Sequence, residues 1–81
     1  MTAMEVQTLI EEHLTDAHVQ VSDTRGNGSH FKAVVISPHF RGKSLVEQHR
    51  MVYKACNDYL KREIHALQIE THTPDAWSER S

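Results

Sequence analysis

Phe31-Lys32-Ala33-Val34-Val35-Ile36-Ser37, closed by Pro38, is the stretch that decides the fold, together with the Ser44-Leu45-Val46-Glu47 that follows six residues later. The first segment reads as an apolar strand. Pro38 ends it, and His39-Phe40-Arg41-Gly42-Lys43 forms a connecting loop. Ser44 and Glu47 have the spacing of a capping box, in which a hydroxyl and a carboxylate satisfy the free amides of a new helix. A strand that runs straight into a helix needs a second strand for that helix to lead to. Ile64–Thr71 (Ile-His-Ala-Leu-Gln-Ile-Glu-Thr) is the candidate, which makes the helix a crossover between two strands of one sheet.

Working outward, His18–Asp23 alternates Val19 and Val21 with polar residues, as a half-buried strand does. Arg25-Gly26-Asn27-Gly28-Ser29 then turns the chain back into the apolar strand. Thr2-Ala3-Met4-Glu5 is another capping box, and Val6, Leu9, Ile10 and Leu14 recur at helical spacing, so a first helix is predicted over about 3–14. On the main helix, Leu45, His49, Val52, Tyr53, Cys56 and Leu60 define the apolar face, with Glu47, Arg50, Lys54, Lys61 and Arg62 mostly elsewhere. Asn57-Asp58 marks either a break in this helix or the start of another. Thr73-Pro74-Asp75 opens a short terminal helix, with Thr as cap and Pro at the first position. The order is α-β-β-α-(α)-β-(α): a two-layer α+β domain with helices on one face of a three-stranded sheet.

With 81 residues there is room for a single domain, 1–81, and one thin core. Hydrophobic residues at 38 % and charged residues at 25 % argue against disorder. No apolar run approaches a membrane span and no signal peptide is evident, so no membrane role is expected. The one cysteine, Cys56, cannot form an internal disulfide, and a reducing cytoplasm is the expected location. The formal charge of −2 is unevenly spread: residues 1–24 carry five acids and no Lys or Arg, whereas residues 25–62 carry eight bases against Glu47 and Asp58. Seven histidines stand out in so short a chain. Imidazole is the commonest metal ligand and titrates near neutral pH, so the histidines are where chemistry is sought.

Six short pieces in order carry a resemblance: Ser29-His30-Phe31, Val35-Ile36-Ser37, Phe40-Arg41-Gly42-Lys43-Ser44, His49-Arg50-Met51-Val52-Tyr53, Ile64-His65-Ala66-Leu67 and Thr73-Pro74-Asp75-Ala76-Trp77. Over nearly its whole length the chain resembles the BolA family, and is similar to its BolA/IbaG-like bacterial members. The resemblance implies an α-β-β-α-α-β fold like a type II KH domain without the Gly-x-x-Gly loop. It also implies a non-enzymatic partner of a monothiol glutaredoxin in iron–sulfur assembly, trafficking or iron regulation. In such a pair a bridging [2Fe-2S] cluster takes thiolates from the glutaredoxin and a glutathione, and histidine or cysteine from the BolA-like partner. The histidine that matches the family's ligand is His65. An imidazole in place of a thiolate raises the potential of an iron–sulfur centre, and its protonation competes with the metal. Family members often bring a second ligand from the loop between strands one and two. Here that loop holds neither His nor Cys, and His30 at its end is the nearest candidate, although it matches the Ser-His-Phe marker instead of the loop ligand. The expected docking surface is His65, the start of strand two and the loop Phe40–Lys43.

Some BolA-like proteins are described as transcriptional regulators, which gives the alternative reading: Arg41, Lys43, Arg50, Lys54, Lys61 and Arg62 as a KH-like, DNA-binding basic face. A solvated helix face explains the same charges, and no aromatic residues interleave with them. The other candidates have plainer readings. His49 is expected as a core histidine that hydrogen-bonds to the turn, and Trp77 as the residue that packs the terminal helix on the body. His13, His18, His39 and His72 lack the context of a structural zinc site. No Cys-x-x-Cys, Gly-x-Ser-x-Gly or phosphate-binding glycine loop is present, so no catalysis is expected. Alone, the chain is expected as a monomer or weak homodimer. Cys56, on the apolar face, reads as a small hydrophobe. Cys56→Ser is therefore expected to lower stability in urea denaturation by about 1–3 kcal/mol while leaving cluster spectra unchanged.

Overall fold

The computed structural model describes residues 1–80. Helix α1 (Ala3–His13) leads into strand β1 (His18–Asp23), β2 (His30–Ile36), helix α2 (Leu45–Ala55), β3 (Ala66–His72) and helix α3 (Pro74–Arg80), with single 3₁₀ turns at Pro38–Phe40 and Asn57–Tyr59. Both predicted capping boxes form: Thr2 and Glu5 exchange side-chain-to-backbone hydrogen bonds at the start of α1, as do Ser44 and Glu47 at the start of α2. The Asn57-Asp58 break is a 3₁₀ turn following Cys56, the C-cap of α2.

The sheet has the order β1-β2-β3. β1 and β2 form an antiparallel hairpin, Val19 opposite Val35 and Asp23 opposite Phe31. β2 and β3 run parallel, from His30 opposite Ala66 to Ile36 opposite His72. Parallel neighbours need a crossover, and α2 supplies it. β3 starts two residues later than the sequence pattern suggests. Ile64 is instead held back in a bridge to Leu60, and Lys61 takes a positive φ of 66° to close that tight turn.

One core lies between the sheet and the pair α1 and α2. Val6 and Ile10 of α1, Phe31, Ala33 and Val35 of β2, Val52 of α2, and Phe40, Cys56 and Ile64 are essentially without solvent contact. β2 is central and contributes every second side chain to this core, the period expected of a strand. The opposite sheet face stays open at Gln20, Ser22, Lys32 and Gln68. The short α3 returns to that open face at its far end, with Trp77 lying on His72 at 5.1 Å between ring centroids, which is the packing role expected of Trp77. Pro74 and Trp77 line a shallow cleft there with His18, Gln20 and Ile36.

The apolar face of α2 differs from the sequence expectation. Val52 and Cys56 are buried, but Leu45 is 62 % exposed, Val46 61 % and Tyr53 39 %. A polar residue sets this rotation. Gln48 Nε2 donates to the carbonyl oxygens of Lys43 (3.0 Å) and Phe40 (3.4 Å), while its Oε1 accepts the Thr71 hydroxyl at 2.6 Å. These bonds turn Gln48 toward the sheet and Leu45 away from it. His49 is displaced with Leu45: it is half-buried on the rim, and among the described residues it makes no hydrogen bond to the turn. Tyr53 reaches across to donate its hydroxyl to the Leu67 carbonyl at 3.2 Å.

Urea denaturation checks this corrected face. Phe31→Ala is expected to cost about 3–5 kcal/mol, whereas Leu45→Ala should change stability by no more than about 0.5 kcal/mol.

Candidate metal centre at a paired-histidine edge

Because β2 and β3 are parallel and in register from His30 and Ala66, both strands begin at the same end of the sheet. His30 is the first residue of β2, and His65 immediately precedes β3. Their rings meet edge to face, 5.9 Å between centroids at an interplanar angle of 82°. The Ser29 carbonyl ties the two strand starts together by accepting the amides of His65 (2.8 Å) and Ala66 (3.2 Å). His65 is exposed and His30 half-buried, so both rings can reach a molecule docked at this edge.

The loop that carries His30 is built on one carboxylate. Asp23 Oδ2 accepts the Gly28 amide at 2.7 Å, and Oδ1 accepts those of Gly26 (2.8 Å) and Arg25 (3.2 Å). Gly28 has φ +74°, and a Cβ there would stand 2.9 Å from the Met1 carbonyl oxygen, so no other residue fits without movement. The Met1 ammonium also donates to the Gly28 carbonyl at 3.2 Å. At the end of the loop, His30 Nδ1 lies 3.0 Å from Ser29 Oγ and 3.2 Å from Asn27 Nδ2. The Gly28 amide is the largest of the contacts that hold the Asp23 carboxyl below its usual range, followed by the amides of Arg25, Gly26 and Asn27. Asp23, Asn27 and Ser29 had no functional reading in the sequence. The signal for them was an acid at the end of a strand, just ahead of a Gly-Asn-Gly segment, which is how a side-chain-capped turn is written.

The donor set fits a shared metal group better than a self-sufficient site. A structural zinc would need four ligands. Among the described residues, no group of three or more His, Cys, Asp or Glu is placed to hold a metal ion. Cys56 adds nothing here: it is buried in the core, and desolvation pushes its thiol up to about 11, far from the thiolate a metal requires. Any metal held by His30 and His65 takes its remaining donors from another molecule.

The other expected site residues fall elsewhere. The loop Phe40–Lys43 does not join His65. It follows the opposite end of β2, roughly 20 Å of strand away, with Phe40 in the core and Arg41 3.4 Å from Asp75. Lys43 precedes α2, Arg50 and Lys54 lie one turn apart on α2, and Lys61 and Arg62 occupy the turn before β3; all six basic side chains are exposed. His39 pairs with Asp16 at 3.5 Å and His72 with Glu70 at 2.8 Å, both away from the paired-histidine edge.

Fold and site together define a class: a small α+β domain with a parallel β-α-β crossover that offers two imidazoles from one sheet edge. Within that class, the chain belongs to the BolA-like protein family, whose model matches residues 2–76. It is 40 % identical over 79 residues to protein BOLA2 of Arabidopsis thaliana, covering 95 % of this chain and 84 % of that one. It is 31 % identical over 86 residues to the DNA-binding transcriptional regulator BolA of Haemophilus influenzae, covering 91 % and 82 %. The solved BolA domain of SufE1 from Arabidopsis thaliana superposes with a TM-score of 0.78 at 34 % identity, covering 90 % of this chain and 92 % of that one. No helix among the described residues is long and apolar enough to cross a membrane.

Asp23→Asn tests the clamp. A carboxyl whose pKa is lowered by folding favours the folded loop above its ordinary range and loses that contribution as pH falls through the lowered value. Hydrogen-exchange protection of the Gly26 and Gly28 amides is expected to drop in Asp23→Asn near neutral pH, and in the wild type only once pH falls below about 4. The amides of β2 should keep their protection in both cases.

Proposed function

We propose that this chain is a non-enzymatic partner in iron–sulfur assembly, trafficking or iron regulation in the cytoplasm. It would dock on a monothiol glutaredoxin and lend His65 and His30 to a bridging [2Fe-2S] cluster, with thiolates supplied by the glutaredoxin and a glutathione. One observation carries the reading: two imidazoles side by side at one open sheet edge, with no third donor beside them. A resident metal needs a complete set, whereas two neutral donors suit a cluster completed by a second protein. The cluster itself supplies redox and iron chemistry. The chain's part is to present two nitrogen donors from a rigid frame, His65 by its amide bond to Ser29 and His30 by its loop. The presence of this domain in SufE1 supports an iron–sulfur setting.

The basic face favours a second reading. Arg50 and Lys54 are exposed on α2, with Lys61 and Arg62 on the turn beyond it, and a relative is named a DNA-binding transcriptional regulator. Such binding would follow phosphates and weaken steeply with salt.

Anaerobic reconstitution with a monothiol glutaredoxin, iron, sulfide and glutathione, followed by visible absorption and circular dichroism, checks the first reading. A 1:1 complex with a spectrum distinct from that of the glutaredoxin homodimer is expected. His65→Ala should lose that spectrum with the fold intact. A complex that forms normally with His65→Ala removes the ligand assignment. If no complex forms, salt-dependent DNA binding by the basic face becomes the better reading.

A further inference from the structure

We propose that Ser29 and Asn27 are positioning residues for the paired histidines: they fix the tautomer of His30, so that Nδ1 carries the proton and Nε2 is the atom offered to iron. This rests on the proposed ligand role of His30 and His65, and adds which nitrogen ligates and what orients it.

The hydrogen-bond chain has one consistent direction. The Ser29 backbone amide can only donate, and it donates to Asn27 Oδ1 at 3.1 Å, which sets the orientation of the Asn27 amide. Ser29 Oγ lies 3.0 Å from the same oxygen, an acceptor only, so the hydroxyl proton is committed there. The hydroxyl then has only lone pairs to turn toward His30 Nδ1, 3.0 Å away, and Nδ1 must donate. Asn27 Oδ1 itself stands 3.4 Å from Nδ1, a further acceptor on that side of the ring. Among the described residues no hydrogen bond engages His30 Nε2. A neutral imidazole protonated at Nδ1 has its lone pair on Nε2, the state a metal requires, whereas histidine in water favours the opposite tautomer. A ligating histidine almost always donates its other ring N–H, and losing that outer partner typically costs 10–100-fold in metal affinity.

Ser29 acts on both donors at once through different atoms. Its hydroxyl holds the His30 ring, and its carbonyl holds the His65 amide. The Asp23 clamp keeps the loop that presents Asn27 and Ser29 in place, so side-chain deletion at Ser29 removes the ring contact and leaves the frame.

The test reads the protein alone first. Long-range proton–nitrogen NMR at a pH well above the ordinary imidazole value of about 6.5 reports which ring nitrogen is protonated. Wild-type His30 is expected as the Nδ1–H tautomer. Ser29→Ala should move it to Nε2–H, Ser29→Thr should retain Nδ1–H, and the His65 ring signals should stay put throughout. Asn27→Ala is the second variant and should shift His30 in the same direction if Ser29→Ala does not fold. His30 found as Nε2–H in the wild type, or unmoved in both variants, overturns the proposal. In the reconstituted glutaredoxin complex, Ser29→Ala should speed cluster loss about tenfold, and should add nothing when combined with His30→Ala. An equal effect of Ser29→Ala with and without His30 also overturns it. If the wild type yields no cluster-bearing complex, the proposed function fails, and the tautomer measurement still decides the role of Ser29 and Asn27.

Discussion

The parallel pairing of β2 with β3, in register from His30 and Ala66, is the constraint on which the rest depends. Parallel strands cannot be joined by a tight turn, so the chain must return across the sheet, and α2 does so over one face. That choice puts the starts of β2 and β3 at the same sheet end. It makes neighbours of two histidines 35 positions apart in sequence, and the Ser29 carbonyl locks them at that spacing through the amides of His65 and Ala66. β1 adds to the free side of β2 as a hairpin, and α1 covers the half of the core that α2 leaves open. A one-residue slip of β3 would move His65 and turn Leu67 out of the core together. Burial of Leu67 thus protects the geometry of the site.

Polar contacts decide what a core this thin leaves unsettled. Gln48 alone fixes the rotation of α2, through two loop carbonyls and Thr71. The consequence is an exposed stripe of Leu45, Val46 and Tyr53, with Arg50 and Lys54 beside it. Tyr53 ends this stripe over Leu67, one residue into β3 and two beyond His65. Asp23 plays the corresponding part at the other hairpin, gathering three loop amides so that a glycine-rich segment holds one shape. Neither feature buries much apolar area. Each converts a chain segment that could adopt several positions into one that adopts a single position.

Local chemistry made much of the fold legible. The capping boxes at Thr2 and Ser44, the stop at Pro38 and the alternation of His18–Asp23 are all short-range statements about backbone amides, and the structure contains each of them. The face of α2 was not legible, because hydrophobic spacing places Leu45 and Tyr53 inward with Val52, and only the tertiary partners of Gln48 say otherwise. The start of β3 was misplaced for a similar reason: Ile64 is apolar and buried, but it belongs to a bridge with Leu60. The loop Phe40–Lys43 looked like a neighbour of His65 only because the family motifs lie close along the chain. In space a whole strand separates them. His65 and His30 could be named from the sequence, but not their contact, which follows from strand register.

What the site lacks bears on how it would work. Two imidazoles in one frame bind a metal weakly by themselves, since a stable tetrahedral centre takes four donors. A fully furnished site would hold its cargo and resist handing it on. On the proposed function, an incomplete site at an open edge makes the cluster a property of two proteins together, present when they dock and exposed when they part. Neutral nitrogen donors favour the same behaviour, because they neutralise less of the iron's charge than thiolates do. Cys56 fits this division: the only thiol in the chain is sealed in the core, its proton held up to about 11, where it cannot compete for iron. The chain thus keeps its strongest potential ligand out of reach and offers its two weaker ones, arranged by a serine that touches both.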